Sequence, residues 1–265
     1  MPTISQLLKE TKSLANPIRA KNLSWFFKTG KGDYAEGDKF LGLTVPISRT
    51  IAKKYTSLVW PELTKLIQSK YHEERLIALL ILIEKFSQTI KPISQERSLK
   101  NLSKGESFRR LISSEQTKIY KFYLGHTKWI NNWDLVDLSA PKIVGAYLFS
   151  QSQNRKPSDK YPVLFKLVKS KNLWERRIAI VTTIYFIKQH EYQPTLDLAE
   201  ILLKDKHNLI HKSVGWMLRE VGKESITSLT TFIKKHYKAM PRTMLRYAIE
   251  KFPEEIRQAY LRGDI

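Results

Sequence analysis

The stretch Arg176-Arg177-Ile178-Ala179 places cations, an apolar residue and a small residue in an order that recurs along the chain. The similar stretches are Arg75-Leu76-Ile77-Ala78, Lys212-Ser213-Val214-Gly215 and, more loosely, Leu245-Arg246-Tyr247-Ala248. The small residues Ala179, Gly215 and Ala248 are 36 and 33 positions apart. Such a period favours paired helices stacked as a solenoid. An ordinary helical bundle with coincidental small residues is the alternative.

The spacing of apolar residues elsewhere supports an all-α protein. Apolar residues recur mostly three and four positions apart, whereas the alternating patterns typical of strands are scarce. We therefore predict an all-α solenoid that forms a single domain over residues 1–265. Two polar stretches, at about 87–110 and 150–161, interrupt the helical pattern and are predicted to be loops.

The charge of the chain indicates its class of partner. There are 46 Lys and Arg residues against 25 Asp and Glu, which gives a formal net charge of +21. The cations recur along the whole chain, a distribution typical of proteins that bind polyanions. A generally basic protein whose lysines only maintain solubility is the alternative.

Several kinds of site are excluded by residue types. The chain has no cysteine, which excludes disulfides, thiolate nucleophiles and Cys-ligated metal centres. His207 and His211 have the spacing of a zinc helix but no Glu beside the first His, so a packing role is favoured. No phosphate-binding glycine loop or nucleophile elbow is present. We expect neither a metal nor a cofactor.

The distribution of apolar residues also bears on location. The first twelve residues contain no apolar segment of signal-peptide length, and the longest apolar run, at residues 76–83, is too short to span a bilayer. We therefore expect a cytoplasmic protein without a membrane partner.

Three stripes that contain tryptophan are candidate binding residues. On a helix, Trp129, Trp133 and Asp137 would share one face, with Asn131 or Asn132 as the N-cap. The second stripe is Trp174 with Arg177, and the third is Lys212, Trp216, Arg219 and Lys223. Cations of this kind bind phosphates while the ring packs on sugar or base. For the second and third stripes, a core indole flanked by cations that reach solvent is the alternative.

Asp137 is the sharpest chemical signal, because a carboxylate beside a phosphate groove repels the ligand unless it has a function there. One such function is to stabilise the positive charge that develops on a sugar when its bond to a base breaks. The alternative is that Asp137 pairs with a nearby arginine and positions it. The residues alone leave both open.

Four segments of the chain resemble a known family, the HEAT-like-repeat DNA alkylation repair proteins, also called the AlkD-like alkylpurine DNA glycosylases. The segments occur in the same order as in that family. These segments are Phe40–Pro46, Trp133–Asp137, Trp174–Arg177 and Gly215–Glu220. The resemblance implies a HEAT-like helical-repeat solenoid with a concave, basic DNA-binding face. It also implies hydrolysis of the N-glycosidic bond of N3- or N7-alkylated purines in double-stranded DNA. We further expect a monomer, and no cutting of the strand, because no lysine or terminal proline is placed as a Schiff-base nucleophile.

The resemblance also implies roles for individual residues. Asp137 matches the catalytic aspartate, Trp133 and Trp216 match aromatic residues that pack against the deoxyribose, and Arg177 matches a DNA backbone contact. Further DNA contacts are expected from the stripes, at Trp174, Lys212 and Arg219. Because an alkylated purine is already cationic, one carboxylate and aromatic faces suffice, without a general acid or a metal.

Two other functions stay open at this point. A non-catalytic HEAT-repeat protein would use the same basic face to bind branched or damaged DNA, with salt-sensitive affinity and no release of base. A protein-interaction scaffold of the helical-repeat type would carry its charge incidentally.

Overall fold

A computed structural model describes residues 2–96, 102–152 and 160–264, with side chains described except at residues 90–96 and 102–112. Within these ranges the chain is helical, and its only β feature is an isolated parallel bridge between Lys39 and Tyr71. The prediction of an all-α helical-repeat fold is therefore confirmed. No helix in the described ranges is long and apolar enough to cross a bilayer.

Two compact units divide the chain, Met1–Leu135 and Val136–Ile265. The first unit contains helices α1 (Ile4–Ser13), α2 (Pro17–Phe26), α3 (Val45–Lys54), α4 (Trp60–Ile67), α5 (His72–Glu96) and α6 (Leu102–Gly125). Helix α7 (Trp133–Ala140) contains the boundary. The second unit contains a π-helical turn (Pro141–Gly145), α8 (Ala146–Ser152), α9 (Pro162–Leu167), α10 (Leu173–Thr182), α11 (Ile184–Ile187), α12 (Gln193–Leu202), α13 (Asn208–Glu224), α14 (Ile226–His236), α15 (Arg242–Ala248) and α16 (Glu254–Arg262). The single domain over residues 1–265 stays a prediction.

Glu73 fixes the segment that leads from α2 into α3. Its carboxylate, in a residue only 2% exposed, accepts hydrogen bonds from the backbone N–H groups of Leu41, Gly42 and Leu43 at 2.9, 2.7 and 3.1 Å. These charge-assisted bonds offset the cost of burying the carboxylate. Gly42 has φ +84°, and a Cβ there would lie 2.2 Å from the carbonyl oxygen of Asn16. Only glycine fits this close approach of α2.

The small residues of the sequence repeat lie in the core of the second unit. Ala179 and Ala248 are 0% and 1% exposed. A Cβ at Gly215 would lie 2.5 Å from both the Met244 carbonyl oxygen and the Tyr247 Cβ. Helix α13 therefore approaches α15 more closely than any side chain at Gly215 would allow.

The predicted loop at 87–110 is wrong for residues 87–96 and 102–110, which extend α5 and α6. Lys, Arg, Glu and Gln are good helix formers, so a polar composition does not by itself end a helix. Residues 97–101 lie outside the described residues. In the second polar stretch, α8 continues to Ser152, and residues 153–159 are again outside the description.

Replacing Gly215 with Ala is expected to lower the free energy of unfolding by about 1–3 kcal/mol, because α15 must move away from the added methyl group. Urea denaturation measures this change. Gly125→Ala is the matched control, since no described atom lies within 4 Å of the added Cβ. The control is expected to be neutral or up to about 1 kcal/mol more stable, from helix propensity alone. A midpoint of urea unfolding for G215A equal to that of the wild type would contradict the close contact between α13 and α15.

Candidate functional site

Helix α7 carries only part of the first predicted stripe, because it begins at Trp133. Trp129 lies in a separate 3-10 turn, Thr127–Trp129, so its place on a common helix face with Asp137 is wrong. The physical reason is local: the Asn132 Oδ1 accepts a hydrogen bond from the Trp133 N–H at 2.8 Å. This bond satisfies one of the N–H groups that a helix start leaves unpaired. Trp133 and Asp137 remain one turn apart.

The indole of Trp133 lies in an aromatic cluster within the first unit. It stacks on Phe27 with ring centroids 5.3 Å apart and meets Phe26 edge-on at 6.1 Å. Its Nε1 donates a hydrogen bond to the Tyr34 hydroxyl at 3.3 Å. Phe27 in turn stacks on Phe40 at 5.2 Å. The orientation of the indole is therefore fixed by residues that sequence reasoning missed, since only their aromatic character signals them.

A buried ion network holds the first turn of α7 against the start of α5. His72, 2% exposed, bonds Asp38 through Nδ1 at 3.0 Å and Asp134 through Nε2 at 2.8 Å. Arg75 donates from Nη2 to both oxygens of Asp38, at 2.6 and 2.7 Å, and from Nη1 to the Ser69 carbonyl at 2.9 Å. Asp134 follows Trp133 directly in the chain. The network therefore fixes the backbone immediately after the residue that carries the indole.

The pKa values in this network follow from its geometry. Burial alone would lower the pKa of His72, but the charges and hydrogen bonds of Asp134 and Asp38 outweigh it and raise the pKa to about 9. Burial would raise the pKa of Asp38, but the hydrogen bond from His72 and the charge of Arg75 hold it below its usual value. His72 is therefore a cation at neutral pH and donates from both ring nitrogens.

Asp137 and Arg177 form a bidentate pair within the second unit. Arg177 Nε donates to Asp137 Oδ1 at 2.8 Å, and Nη2 donates to Oδ2 at 2.7 Å. Nη1 donates to the Leu209 carbonyl at 2.7 Å. The structure thus brings together two of the residues matched by the resemblance. The same geometry fits the alternative, in which Asp137 pairs with an arginine and positions it.

The second stripe is mostly buried. Trp174 and Arg177 are 7% and 5% exposed. The Trp174 N–H is capped by the Asn172 Oδ1 at 2.9 Å, at the start of α10. Burial leaves both side chains little surface for a ligand, as the packing alternative expects. A direct contact of either with DNA stays a prediction.

The third stripe, on α13, contains carboxylates that lower its positive charge. The Trp216 Nε1 donates to Glu220 at 3.2 Å, and the same carboxylate accepts hydrogen bonds from the Lys223 Nζ at 2.8 and 2.9 Å. Arg219 lies 3.6 Å from Glu220 and forms an ion pair with Glu250. Two of the three cations of the stripe are therefore paired.

Lys212 is the remaining cation of the third stripe. It is partly exposed and forms no ion pair with any residue in the described ranges. The Trp216 side chain is also partly exposed. Lys212 and Trp216 are thus the members of this stripe best placed to meet a ligand, and the grouping of Trp216 with Asp137 stays a prediction.

The histidine pair at the start of α13 makes local contacts. The His207 Nδ1 accepts a hydrogen bond from the Leu209 N–H at 3.1 Å, and the His211 Nε2 lies 2.5 Å from the Asp205 carbonyl oxygen. Within the described ranges, no group of three His, Asp or Glu side chains is close enough to hold a metal ion.

Residues 7–252 match the sequence profile of the DNA alkylation repair enzymes. The chain belongs to this family. Its fold is similar to the solved structure of a predicted DNA alkylation repair enzyme from Enterococcus faecalis, with a TM-score of 0.62 and 15% identity over 91% of this chain and 97% of that chain. At that identity the likeness shows the fold alone, and no curated protein matches significantly. Family membership assigns the protein a role in the repair of alkylation damage, with DNA as its partner.

The ion network predicts a loss of stability at alkaline pH. Because its pKa is raised in the folded chain, protonated His72 stabilises the fold fully below the unfolded value of about 6.5. This stabilisation is lost as the pH rises through about 9. We expect the free energy of unfolding, from urea denaturation, to fall between about pH 7 and 9.

His72→Gln should flatten this pH dependence and lower the stability at neutral pH, because Asp134 loses its cationic partner and Asp38 keeps only Arg75. His190→Asn, at a side chain that is 73% exposed, is the control and should keep the wild-type profile. Parallel profiles for H72Q and wild type would show that the network does not titrate as described.

Proposed function

We propose that the protein is a monofunctional, metal-free DNA glycosylase that hydrolyses the N-glycosidic bond of cationic N3- or N7-alkylated purines in duplex DNA. The observation that carries this proposal is the carboxylate of Asp137, 19% exposed and held in one orientation by the bidentate Arg177. The family's role in alkylation repair supports this class of substrate. The products are the free alkylated base and an abasic site.

The chemistry needs little more than such a carboxylate. An alkylated purine leaves with the bonding electrons and becomes neutral, so its departure needs no general acid. Positive charge develops on the sugar as the bond breaks, and a fixed anion nearby stabilises that transition state without reorganising. Water then adds to the sugar carbon and a proton is released. In this proposal the Asp137 carboxylate, fixed by Arg177, also orients this water.

Arg177 orients Asp137 in this mechanism. Three of its five N–H donors serve Asp137 and the Leu209 carbonyl. Because Arg177 is only 5% exposed, its main role in this proposal is to orient Asp137.

The indoles supply further stabilisation. We assign Trp133 and Trp216 to the deoxyribose of the damaged nucleotide, where each electron-rich ring contributes about 0.5–2 kcal/mol to a nearby positive charge. Trp133 is held for this role by stacking on Phe27 and by its hydrogen bond to Tyr34. Lys212 and Arg219 are assigned to phosphates.

Asp137→Asn tests the mechanism against the alternative in which Asp137 only positions an arginine. We expect release of N7-methylguanine from duplex DNA, measured under single-turnover conditions, to fall about 100- to 1,000-fold. Asp205→Asn is the matched control, because Asp205 pairs with the adjacent Arg176 at 2.6 Å. Both variants lose a charged partner of a bonded arginine, at a cost of about 1–3 kcal/mol in stability. Only D137N should lose base release.

Equal rates for D137N and D205N would overturn the assigned role of Asp137. If the wild-type protein releases no base from any cationic purine, the glycosylase proposal is wrong. Salt-sensitive binding to branched or damaged duplexes without base release would instead support the non-catalytic DNA binder.

A further inference from the structure

Helix α2, in the first unit, has an unusual surface. None of its ten residues is buried. Three large apolar side chains are strongly exposed on it: Ile18 at 77%, Trp25 at 76% and Phe26 at 54%. Single exposed apolar residues are ordinary, but several on one short helix mark a surface that meets a partner.

The exposed tryptophan lies among cations. Ile18, Lys21 and Trp25 are three and four positions apart and so share one face of α2. Lys28 follows the helix with φ +57°, and its Nζ lies 5.3 Å from the centroid of the Trp25 ring. The face therefore presents an indole between two exposed lysines. We call Ile18, Lys21, Trp25 and Lys28 the α2 face.

Charge indicates the kind of partner. Residues 11–32 contain five cations and no acidic residue. The cations are Lys12, Arg19, Lys21, Lys28 and Lys31. Lysine is depleted in protein–protein interfaces, whereas basic side chains interleaved with an aromatic ring are typical of surfaces that bind nucleic acid. The α2 face therefore complements a polyanion that offers phosphates to the lysines and sugars to the indole ring.

The α2 face is held firmly although its side chains are exposed. The Asn16 N–H donates to the Leu41 carbonyl at 2.8 Å, and the Arg19 Nη1 donates to the Gly42 carbonyl at 2.9 Å. At the end of α2, Phe26 contacts the edge of Trp133. The chain neighbour of Trp25 thus packs against the indole assigned above to the damaged nucleotide.

We propose that the α2 face binds duplex DNA beside the damaged nucleotide. Lys21 and Lys28 contact phosphates, and the Trp25 ring packs on the sugar–phosphate backbone next to them. The position beside the lesion rests on the proposed function, whereas the contact with duplex DNA does not.

Binding of a fluorescein-labelled, undamaged duplex, followed by anisotropy over a range of salt concentrations, tests this contact. Trp25→Ala should weaken the affinity about 5-fold or more, because the apolar contact of the ring with the backbone sugars is lost. Lys21→Gln should weaken binding and reduce the slope of log Kd against log salt by about 1. These side chains are exposed, so the variants should keep the wild-type unfolding curve.

Two variants in the same unit are matched controls. Val59→Ala removes another exposed apolar side chain, 54% exposed, and Lys54→Gln removes a cation that is already paired with Glu10 at 2.8 Å. Both should bind the duplex as the wild type does. Duplex affinities of W25A and K21Q equal to those of the controls would overturn the inference. So would a loss confined to binding of anionic phospholipid vesicles, or to self-association measured by light scattering.

Base release by the same proteins separates this inference from the proposed function. If W25A binds the duplex more weakly and the wild type releases no base, the α2 face is supported as a DNA contact and the glycosylase proposal is overturned. Unchanged binding by W25A, with base release lost only in D137N, would support the glycosylase and overturn the α2 face.

Discussion

The buried first turn of α5 is the constraint on which the first unit depends. Four consecutive charged or titratable residues, His72 to Arg75, are each only 2–4% exposed. His72 and Arg75 bind Asp38, Glu73 binds the backbone of residues 41–43, and Glu74 bonds Thr11 and Ser69. Buried charges are tolerated only when each has a partner, so removal of one leaves the others uncompensated.

This turn also holds the start of α7 within the first unit. His72 fixes Asp134 within the first unit, and Trp133 is its neighbour. At the next turn of the same helix, Arg177 fixes Asp137 within the second unit. An eight-residue helix is too short to be stable alone. The ion pairs of Asp134 and Asp137 therefore stabilise a helix whose length alone would leave it marginal.

The sequence allowed the fold class and the family to be predicted, because both depend on local patterns. Apolar spacing indicated helices, and small residues such as Gly215 indicated close helix contacts. Patterns of this kind fail where a partner is distant in sequence. The burial of His72 to Arg75 was missed because a run of charged residues ordinarily indicates a solvated surface. Similarly, the helical pattern of residues 212–223 could not indicate that Arg219 pairs with Glu250, because Glu250 lies 31 positions later in the chain.

The candidate site was predictable only in part. The resemblance matched both Asp137 and Arg177, but it did not indicate that they bind each other. Trp129 was grouped with Trp133 because spacing alone does not show where a helix begins. The aromatic residues that hold Trp133, Phe27 and Tyr34, lie about a hundred positions earlier and carry no motif.

The bonds of Glu73 have a consequence for a chain of such high positive charge. Successive backbone N–H groups that converge as those of residues 41–43 do form an anion receptor of the kind that elsewhere cradles phosphate. Here the receptor is filled by the protein's own carboxylate, in the interior. A free phosphate or nucleotide therefore cannot bind to these N–H groups. A polyanion can be bound only by the exposed lysines and arginines of the surface.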